Sequence, residues 1–260
     1  TVVFNSLRGE KPKLLLIGAE KMTHLSIDEA TLIISGVLDQ ESRKQGKTML
    51  SIAARDVMPI YLNHGLRYGD LDDMAAQLHL RASKNPNARF YGKYPKPEEI
   101  WAALRDPQKN PVVVKGTNYR RFYSASVDDG AAAIILTNRE TGIRIIGVGQ
   151  GNAPMKLEDR NGHYGFEATY EAAKQAFGMA HLNPADLFKQ GIIEVHDAFL
   201  PYVYPQLTEM GLFNSLIDCI CAFREGKCNE NGTLPVNISG GLKGIGHPLA
   251  ASSIRQLVSI

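Results

Sequence analysis

The sequence has little of several features that would assign it to a specialised class of protein. Its 260 residues include three cysteines and one tryptophan, and 29 basic side chains nearly balance 27 acidic ones, which gives a net charge of +2. Without a basic excess, a dedicated nucleic-acid binder is not expected. No long apolar run is free of charges, so a membrane-spanning protein is not expected either. The hydrophobic content of 44% argues against a disordered chain.

The few cysteines lie close together in the chain. Cys219, Cys221 and Cys228 lack the paired C-x-x-C spacing and the histidine partners of a zinc site, so we expect no metal. Free thiols are typical of a reducing compartment. This predicts a cytoplasmic protein, with a peroxisome or mitochondrion as the eukaryotic alternative. The stretch Thr1–Gly9 has no basic segment leading into an apolar core, so no signal peptide is predicted.

Hydrophobic periodicity divides the chain into two parts. The first has a strand over 12–18, which follows the predicted end of a helix at Thr1–Leu7, and then a helical, loop-rich insertion from about 20 to 125. The apolar runs 130–136 and 143–149 are close enough to form a β-hairpin. From 143 to 260 strands and helices alternate, with a last helix from His247, which predicts an α/β fold and a largely parallel sheet.

Two glycine-rich segments resemble nucleotide-binding loops but lack essential residues. Gly147–Gly151 follows a predicted strand, yet Ala153 and Pro154 stand where a helix should begin and receive a pyrophosphate. Gly240–Gly246 lacks the Gly-Lys-Ser/Thr ending of a P-loop. No Gly-x-Ser-x-Gly sequence is present, which disfavours a serine hydrolase of that type.

Two histidines fall at equivalent strand-to-helix junctions of the second part. Four glycines precede His247, which we place at a helix start, where the helix dipole disfavours imidazolium and keeps the ring available as a base. The alternative is a tight turn with a histidine near the cap. His196 and Asp197 follow a buried strand, where α/β sites gather, and the alternative is a histidine satisfied by a neighbouring helix. Together the two junctions predict one shared site.

Five segments, in the same order along the chain, resemble motifs of the thiolase superfamily, particularly its bacterial, archaeal and sterol-carrier-type branch. The first three resemble a Val-Gly-x-Glu-Lys-Met strand end, an Asn-rich loop segment and a Ser-Asp-Gly-Ala-Ala-Ala strand. The last two resemble His-Asp-x-Phe and Asn-x-Ser-Gly-Gly…Gly-His-Pro, and they are the most specific. The segments are Leu16–Met22, Lys84–Ala88, Ser126–Ala133, Glu194–Phe199 and Asn237–Pro248.

The resemblance implies Claisen chemistry that joins or cleaves acyl chains on coenzyme A. It implies that His247 activates the acyl-accepting cysteine and that His196, with a water, donates to the thioester oxygen. It further implies that much of the coenzyme A lies on the insertion, that no cofactor is needed beyond a coenzyme A thioester as substrate, and that the protein forms a homodimer or tetramer. The residues expected to line the substrate pocket are Ser239, Gly240, Gly241, Ala198 and Phe199.

Family features are also missing. The acylated cysteine of the family lies upstream of the first strand and its second catalytic cysteine lies downstream of the last helix, and Ala198 stands where some sterol-carrier-type members have a cysteine. The resemblance therefore predicts a layered thiolase-like fold of two related α/β halves, both truncated. These halves are 1–142, which includes the loop domain, and 143–260, which lacks its last strands.

Three functions remain open at this point. The first is a thiolase-type acyltransferase acting on acetyl-CoA or 3-ketoacyl-CoA, with its nucleophile outside the sequence. The second is a non-acylating binder of coenzyme A or lipid thioesters, or a β-hydroxyacyl-CoA lyase that uses His196, His247 and Tyr202 for a retro-aldol cleavage. The third is a structural partner that completes a site in another subunit.

Overall fold

A two-stranded antiparallel sheet joins distant parts of the chain. The computed structural model describes residues 13–160 and 163–260, so the predicted helix end at Thr1–Leu7 lies outside the described residues. Strand β1 (Lys13–Glu20) pairs with β2 (Gly130–Thr137) over their whole length. One face packs on the C-terminal end of the chain, where Gly18 lies against the backbone of Ala250. The other face exposes three large apolar side chains, Leu15, Ile17 and Ile135.

Helices make up most of the remaining regular structure. Between the strands lie α1 (Ile27–Ile34), α2 (Gln40–Lys44), α3 (Met49–Ser51), α4 (Met58–Asn63), α5 (Tyr68–Lys84) and α6 (Pro97–Arg105). After β2 follow α7 (Glu167–Ala180), α8 (Leu187–Gln190), α9 (Val203–Glu209), α10 (Leu216–Arg224), α11 (Gly241–Ile245) and α12 (Ser252–Ser259). A π turn, Ile52–Val57, joins α3 to α4. Within the described ranges, none of these helices has the length and apolarity needed to cross a bilayer.

Helix α5 forms the centre of the core. It is tied to α10 by Asp70, whose carboxylate accepts two hydrogen bonds of 2.7 Å from the guanidinium of Arg224. Such a bidentate pair fixes orientation as well as distance. The buried face of α5 is built from apolar side chains of different sizes, namely Leu71, Met74, Ala75, Leu78 and Ala82.

The strands predicted for the second part are reduced to single bridges. Ile193 pairs with Val236 and Val127 pairs with His247, both in the parallel sense. The alternation of helices with short extended segments is therefore present, and the described chain has an α/β architecture in which most predicted strands are reduced to bridges. Because so few ladder hydrogen bonds join these segments, side chains must satisfy many of their backbone groups.

The predicted hairpin between 130–136 and 143–149 is wrong. The partner of β2 is β1, and 143–149 forms no strand. Instead, three alternate glycines of 147–151 lie against backbone carbonyls of α7, one helical turn apart. A Cβ at Gly147, Gly149 or Gly151 would collide with the carbonyl oxygen of Ala176, Ala172 or Ala168, respectively. The alternating pattern therefore serves close packing on a helix.

The glycine-rich segment before His247 is a short helix where the sequence predicts a tight turn. Helix α11 begins after Gly240, which has a left-handed φ of 109°, and a Cβ on Gly244 would lie 2.6 Å from the Cβ of Ala82 in α5. Here glycine permits close contact between two helices. The last helix begins at Ser252, not at His247, and a single 3-10 turn, Leu249–Ala251, precedes it.

The packing of 147–151 on α7 predicts opposite effects for two glycine substitutions. Gly149→Ala should lower the free energy of unfolding by about 1–3 kcal/mol, because its Cβ would overlap the α7 backbone. Gly178→Ala, on the exposed side of α7 with open space around it, should raise it by about 0.5–1 kcal/mol. Denaturant unfolding of both variants measures the difference. Equal effects would contradict the helix packing.

His79 predicts a further stability effect. Its ring in α5 is fully buried, neither ring nitrogen has a hydrogen-bond partner, and the rings of Phe90 and Phe122 meet it edge-on at 4.5 Å and 5.1 Å. Burial lowers the pKa of His79 from 6.5 to about 2, aided by the charge of Lys243. Below pH 6.5 the unfolded chain takes up a proton that the folded chain excludes, so stability falls as the pH is lowered.

His79→Phe should therefore raise the free energy of unfolding by about 1–2 kcal/mol near pH 8, because two unsatisfied polar atoms are removed. The gain should be larger near pH 5, because protonation of His79 in the unfolded chain destabilises the wild type at that pH and the phenylalanine variant has no such proton to bind. Denaturant unfolding at both pH values checks this. The exposed His24→Phe serves as control and should change stability by less than about 0.5 kcal/mol. A pH-independent gain would contradict the pKa argument.

Candidate active site

The segment that carries His196 is held from both sides. Asn237 N donates to Ile193 O at 2.7 Å, and Ala125 N donates to Ala198 O at 2.8 Å. His196 lies between these attachments, and part of its side chain remains exposed. The backbone around the ring is therefore fixed, while the ring itself faces open space.

Asn237 joins the two histidine-bearing segments at their base. It adopts a left-handed φ of 51°, which asparagine tolerates better than most residues. Its side-chain Oδ1 accepts a 2.7 Å hydrogen bond from Val195 N, and its carbonyl accepts one of 3.3 Å from the guanidinium of Arg81. The turn that leads into α11 is thus clamped to the strand before His196.

His247 is buried, with 7% of its surface exposed, and is fixed at backbone and ring. Its N donates to Ser126 O at 3.1 Å. Its Nδ1 lies 2.7 Å from Ser252 Oγ, and that hydroxyl donates to Pro248 O at 2.9 Å. Because the hydroxyl proton is committed to the carbonyl, Ser252 accepts from Nδ1–H. The lone pair therefore lies on Nε2, which makes no hydrogen bond within the described residues.

The two imidazoles form an edge-to-face pair. Their ring centroids lie 5.1 Å apart with an interplanar angle of 79°. Burial lowers the pKa of His247 to about 4, and the neighbouring His196 adds to this effect. Burial also lowers the pKa of His196. Desolvation, rather than the helix terminus predicted from the sequence, is the main cause of the neutral state of His247. At neutral pH the pair offers uncharged donors and acceptors.

His196 opens onto a cleft of about 700 Å³. One wall comes from α2–α4 and the π turn, and the other from residues 155–160 together with Gly165 and Phe166. Charged side chains at the rim pair with each other, as Lys47 does with Asp56 at 3.0 Å and Lys156 does with Glu41. The apolar and aromatic lining includes Ile52, Val57, Tyr61, Leu157, Phe166, Phe199 and Tyr202. A π turn beside a site is a recurrent feature of functional helices.

The predicted substrate-lining residues are in two places. Phe199 lines the cleft beside His196, whereas Ala198 is buried and its carbonyl is used by Ala125. Ser239 directs both its N and its Oγ to the carboxylate of Glu194, at 2.9 Å each. The other two predicted residues face the protein interior, Gly240 against α5 and Gly241 against the carboxylate of Asp197. Their contact with substrate stays a prediction.

Sequence reasoning missed Ser252, which fixes the tautomer of His247. The available signal was a serine five residues after the histidine, but whether that serine contacts the ring depends on the ring orientation, which the sequence does not show. The cysteines lie away from the cleft lining. Burial raises the pKa of Cys219 and raises that of Cys228 to about 12, so neither is a ready nucleophile. Among the described residues, no cluster of three or more histidine, cysteine or acidic side chains is arranged to hold a metal.

Comparisons with known proteins agree with this architecture. Residues 149–260 match the family model described as "Thiolase C-terminal domain-like". An acetyl-CoA acetyltransferase of Methanothermobacter thermautotrophicus is 31% identical over 256 residues, which cover 94% of this chain and 61% of that protein. The chain therefore spans about three fifths of the length of this curated relative.

Solved structures share the fold at low sequence identity. The Ltp2-ChsH2(DUF35) aldolase superposes with a TM-score of 0.70 at 20% identity, over 95% of this chain and 63% of that one. The dimeric peroxisomal thiolase of Saccharomyces cerevisiae superposes with a TM-score of 0.63 at 17% identity, over 99% and 64%. Motif order, family match and fold lead to one assignment: the chain belongs to the thiolase superfamily.

Proposed function

We propose that this protein is a thiolase-type acyltransferase that forms or cleaves a carbon–carbon bond in acyl-CoA thioesters. One observation carries the proposal: Ser252 holds His247 with its Nε2 lone pair free, and the centroids of the His247 and His196 rings lie 5.1 Å apart. A neutral base and a neutral donor side by side suit the activation of a thiol and the polarisation of a thioester. The relatives named above support the reaction class.

The proposed acyl transfer uses the two rings in sequence. Nε2 of His247 takes the proton of a cysteine thiol, and the thiolate attacks the thioester carbonyl. An N–H of His196, with a water, donates to the carbonyl oxygen as it gains negative charge. The carbon–sulfur bond to coenzyme A then breaks, and the leaving thiolate receives the proton from His247. We propose that the cysteine comes from a part of the protein outside these 260 residues, because none of their three cysteines lines the cleft.

The cleft beside His196 is the proposed site of the substrate. Its apolar and aromatic lining suits the acyl group and the adjoining arm of coenzyme A, and its charged rim lies at the solvent side. No further cofactor enters this proposal. Assembly into a homodimer or tetramer remains a prediction from the resemblance, and so does the binding of coenzyme A by the insertion.

A binding experiment tests the proposed site on the purified protein. With isotope-labelled histidine, acetyl-CoA should shift the ring resonances of His196 and His247, and leave those of the exposed His24 and His181 unchanged. His247→Ala should reduce acyl transfer by about 10²–10⁴-fold, as expected for a lost general base. Absence of any response from both site histidines would overturn the proposal.

A lyase is the second candidate, and Tyr202 favours it. Its side chain lines the same cleft as His196, and burial raises its pKa, so the phenol stays protonated. In retro-aldol cleavage of a β-hydroxyacyl-CoA, the neutral His196 would take the hydroxyl proton, the carbon–carbon bond would break to give a carbonyl product and an enolate, and the protonated phenol of Tyr202 would donate to that enolate. No cysteine is needed. Tyr202→Phe should abolish that cleavage and leave thiolysis of acetoacetyl-CoA within a few-fold of wild type. Retained retro-aldol cleavage together with lost thiolysis in Tyr202→Phe would favour the acyltransferase alone.

The tautomer of His247 gives an independent prediction. Ser252→Ala removes the acceptor for Nδ1–H, so the ring should populate both neutral tautomers, and the free energy of unfolding should fall by about 1 kcal/mol. Nitrogen chemical shifts of the ring report the tautomer directly. The neighbouring Ser253→Ala is the control, since Ser253 is exposed. An unchanged single tautomer in Ser252→Ala would contradict the assigned role of the hydroxyl.

A further inference from the structure

Asp197 is the one fully buried carboxylate among the residues that adjoin the histidine pair in the described structure. It directly follows His196 but points away from the cleft, toward the start of α11. Its Oδ1 accepts a 2.6 Å hydrogen bond from Leu242 N, and its Oδ2 accepts a 3.4 Å one from Lys243 N. The side chain therefore connects the segment of His196 to the helix that precedes His247.

The position of α11 contributes to where His247 lies, together with the hydrogen bonds that His247 N donates to Ser126 O and Asp128 Oδ2. The helix has five residues and ends at Gly246, directly before the histidine. On one side it contacts α5 through Gly244, and on the other it contacts Asp197 through Gly241, where a Cβ would collide with Oδ2. With so few residues between these contacts and the ring, a shift of α11 is passed on to His247.

We propose that Asp197 is a positioning residue that sets the separation and mutual orientation of the His196 and His247 rings. The inference rests on the proposed function only for the chemical roles of the two rings. The separation and orientation of the rings can be measured without any substrate. Asp197 touches neither ring's reacting nitrogen in the described structure, so its effect is through α11. The carboxylate thereby holds the segment of His196 at a constant distance from the start of α11.

A neighbouring carboxylate provides a contrast within the same segment. Glu194 also accepts hydrogen bonds from a backbone N and a hydroxyl, both of Ser239. That contact, however, lies ahead of α11 and repeats a connection that Asn237 already makes. The loss of Glu194 should therefore leave the rings in place, which makes Glu194→Gln the matched control for Asp197→Asn.

Several charged groups act on Asp197. Burial raises its pKa to about 7, and Glu194 adds to the rise, while the N–H groups of α11 oppose it. Lys243 lies on the same helix, and its Nζ donates to Ser124 O at 2.7 Å. Burial lowers the pKa of Lys243 to about 7, Asp197 opposes this fall, and Arg121 and Arg89 add to it. Burial lowers the pKa of both histidines, that of His247 to about 4.

The isosteric Asp197→Asn variant tests the proposal without substrate. One amide oxygen replaces two carboxylate oxygens, so the bond to Lys243 N is lost and α11 can shift. The ring-to-ring nuclear Overhauser contact should weaken, and the pKa of His247 should rise from about 4 toward its ordinary value as water reaches the ring. Glu194→Gln should leave both readouts unchanged. Unaltered rings in a folded Asp197→Asn variant, or equal changes in both variants, would overturn the proposal.

A wild-type titration keeps the proposal testable if the variant fails to fold. Protonation of Asp197 removes one acceptor, so the Leu242 amide resonance should follow the carboxyl carbon resonance of the Asp197 side chain, which distinguishes this titration from that of Lys243 in the same pH range. If Asp197 positions the rings, the resonances of both histidines should show the same inflection. An inflection at Leu242 that the rings do not share would overturn the proposal. Because no ligand is present, this result is separate from a failure of acetyl-CoA to bind.

Discussion

The hydrogen bonds between segments 193–199 and 237–243 are the constraint on which the rest of the site depends. A single parallel bridge, Ile193 to Val236, joins these segments by backbone pairing. Several further backbone N–H groups are satisfied by side chains of the opposite segment: Asn237 accepts from Val195, Glu194 accepts from Ser239, and Asp197 accepts from Leu242. Buried amides need partners in any fold. Here those partners also hold together the two segments that carry His196 and His247.

Desolvation gives the site its chemical character. A charged imidazolium is costly in a low-dielectric position, so burial lowers the pKa of His247 to about 4 and partial burial lowers that of His196, and the neutral forms are favoured at physiological pH. The hydroxyl of Ser252 then decides which nitrogen of His247 carries the proton. A base that is already deprotonated and already oriented needs little rearrangement before a proton transfer. Burial and hydrogen bonding thus act on the same ring in different ways, one on its charge and the other on its tautomer.

The sequence predicted the elements whose signal is local. The strand at β1, the helical character of the insertion and the two histidines each have a distinctive pattern, and the structure brings His196 and His247 together as expected. The errors concern glycine. The apolar run 143–149 resembles a strand, although the glycines that end it pack on α7, and the glycines of α11 disfavour helix in isolation. In both cases a tertiary contact outweighs the local preference, and no single-residue pattern contains that contact.

The packing of 147–151 on α7 has a geometric consequence of its own. Two residues of extended chain advance about 6.6 Å, and four residues of α-helix advance about 6.0 Å. The two spacings nearly coincide, so Gly147, Gly149 and Gly151 meet Ala176, Ala172 and Ala168 in succession. The mismatch grows by about 0.6 Å at each step, which limits the match to a few repeats. The two elements therefore stay in register over three contacts only, and a one-residue insertion in either would move every later glycine off its carbonyl.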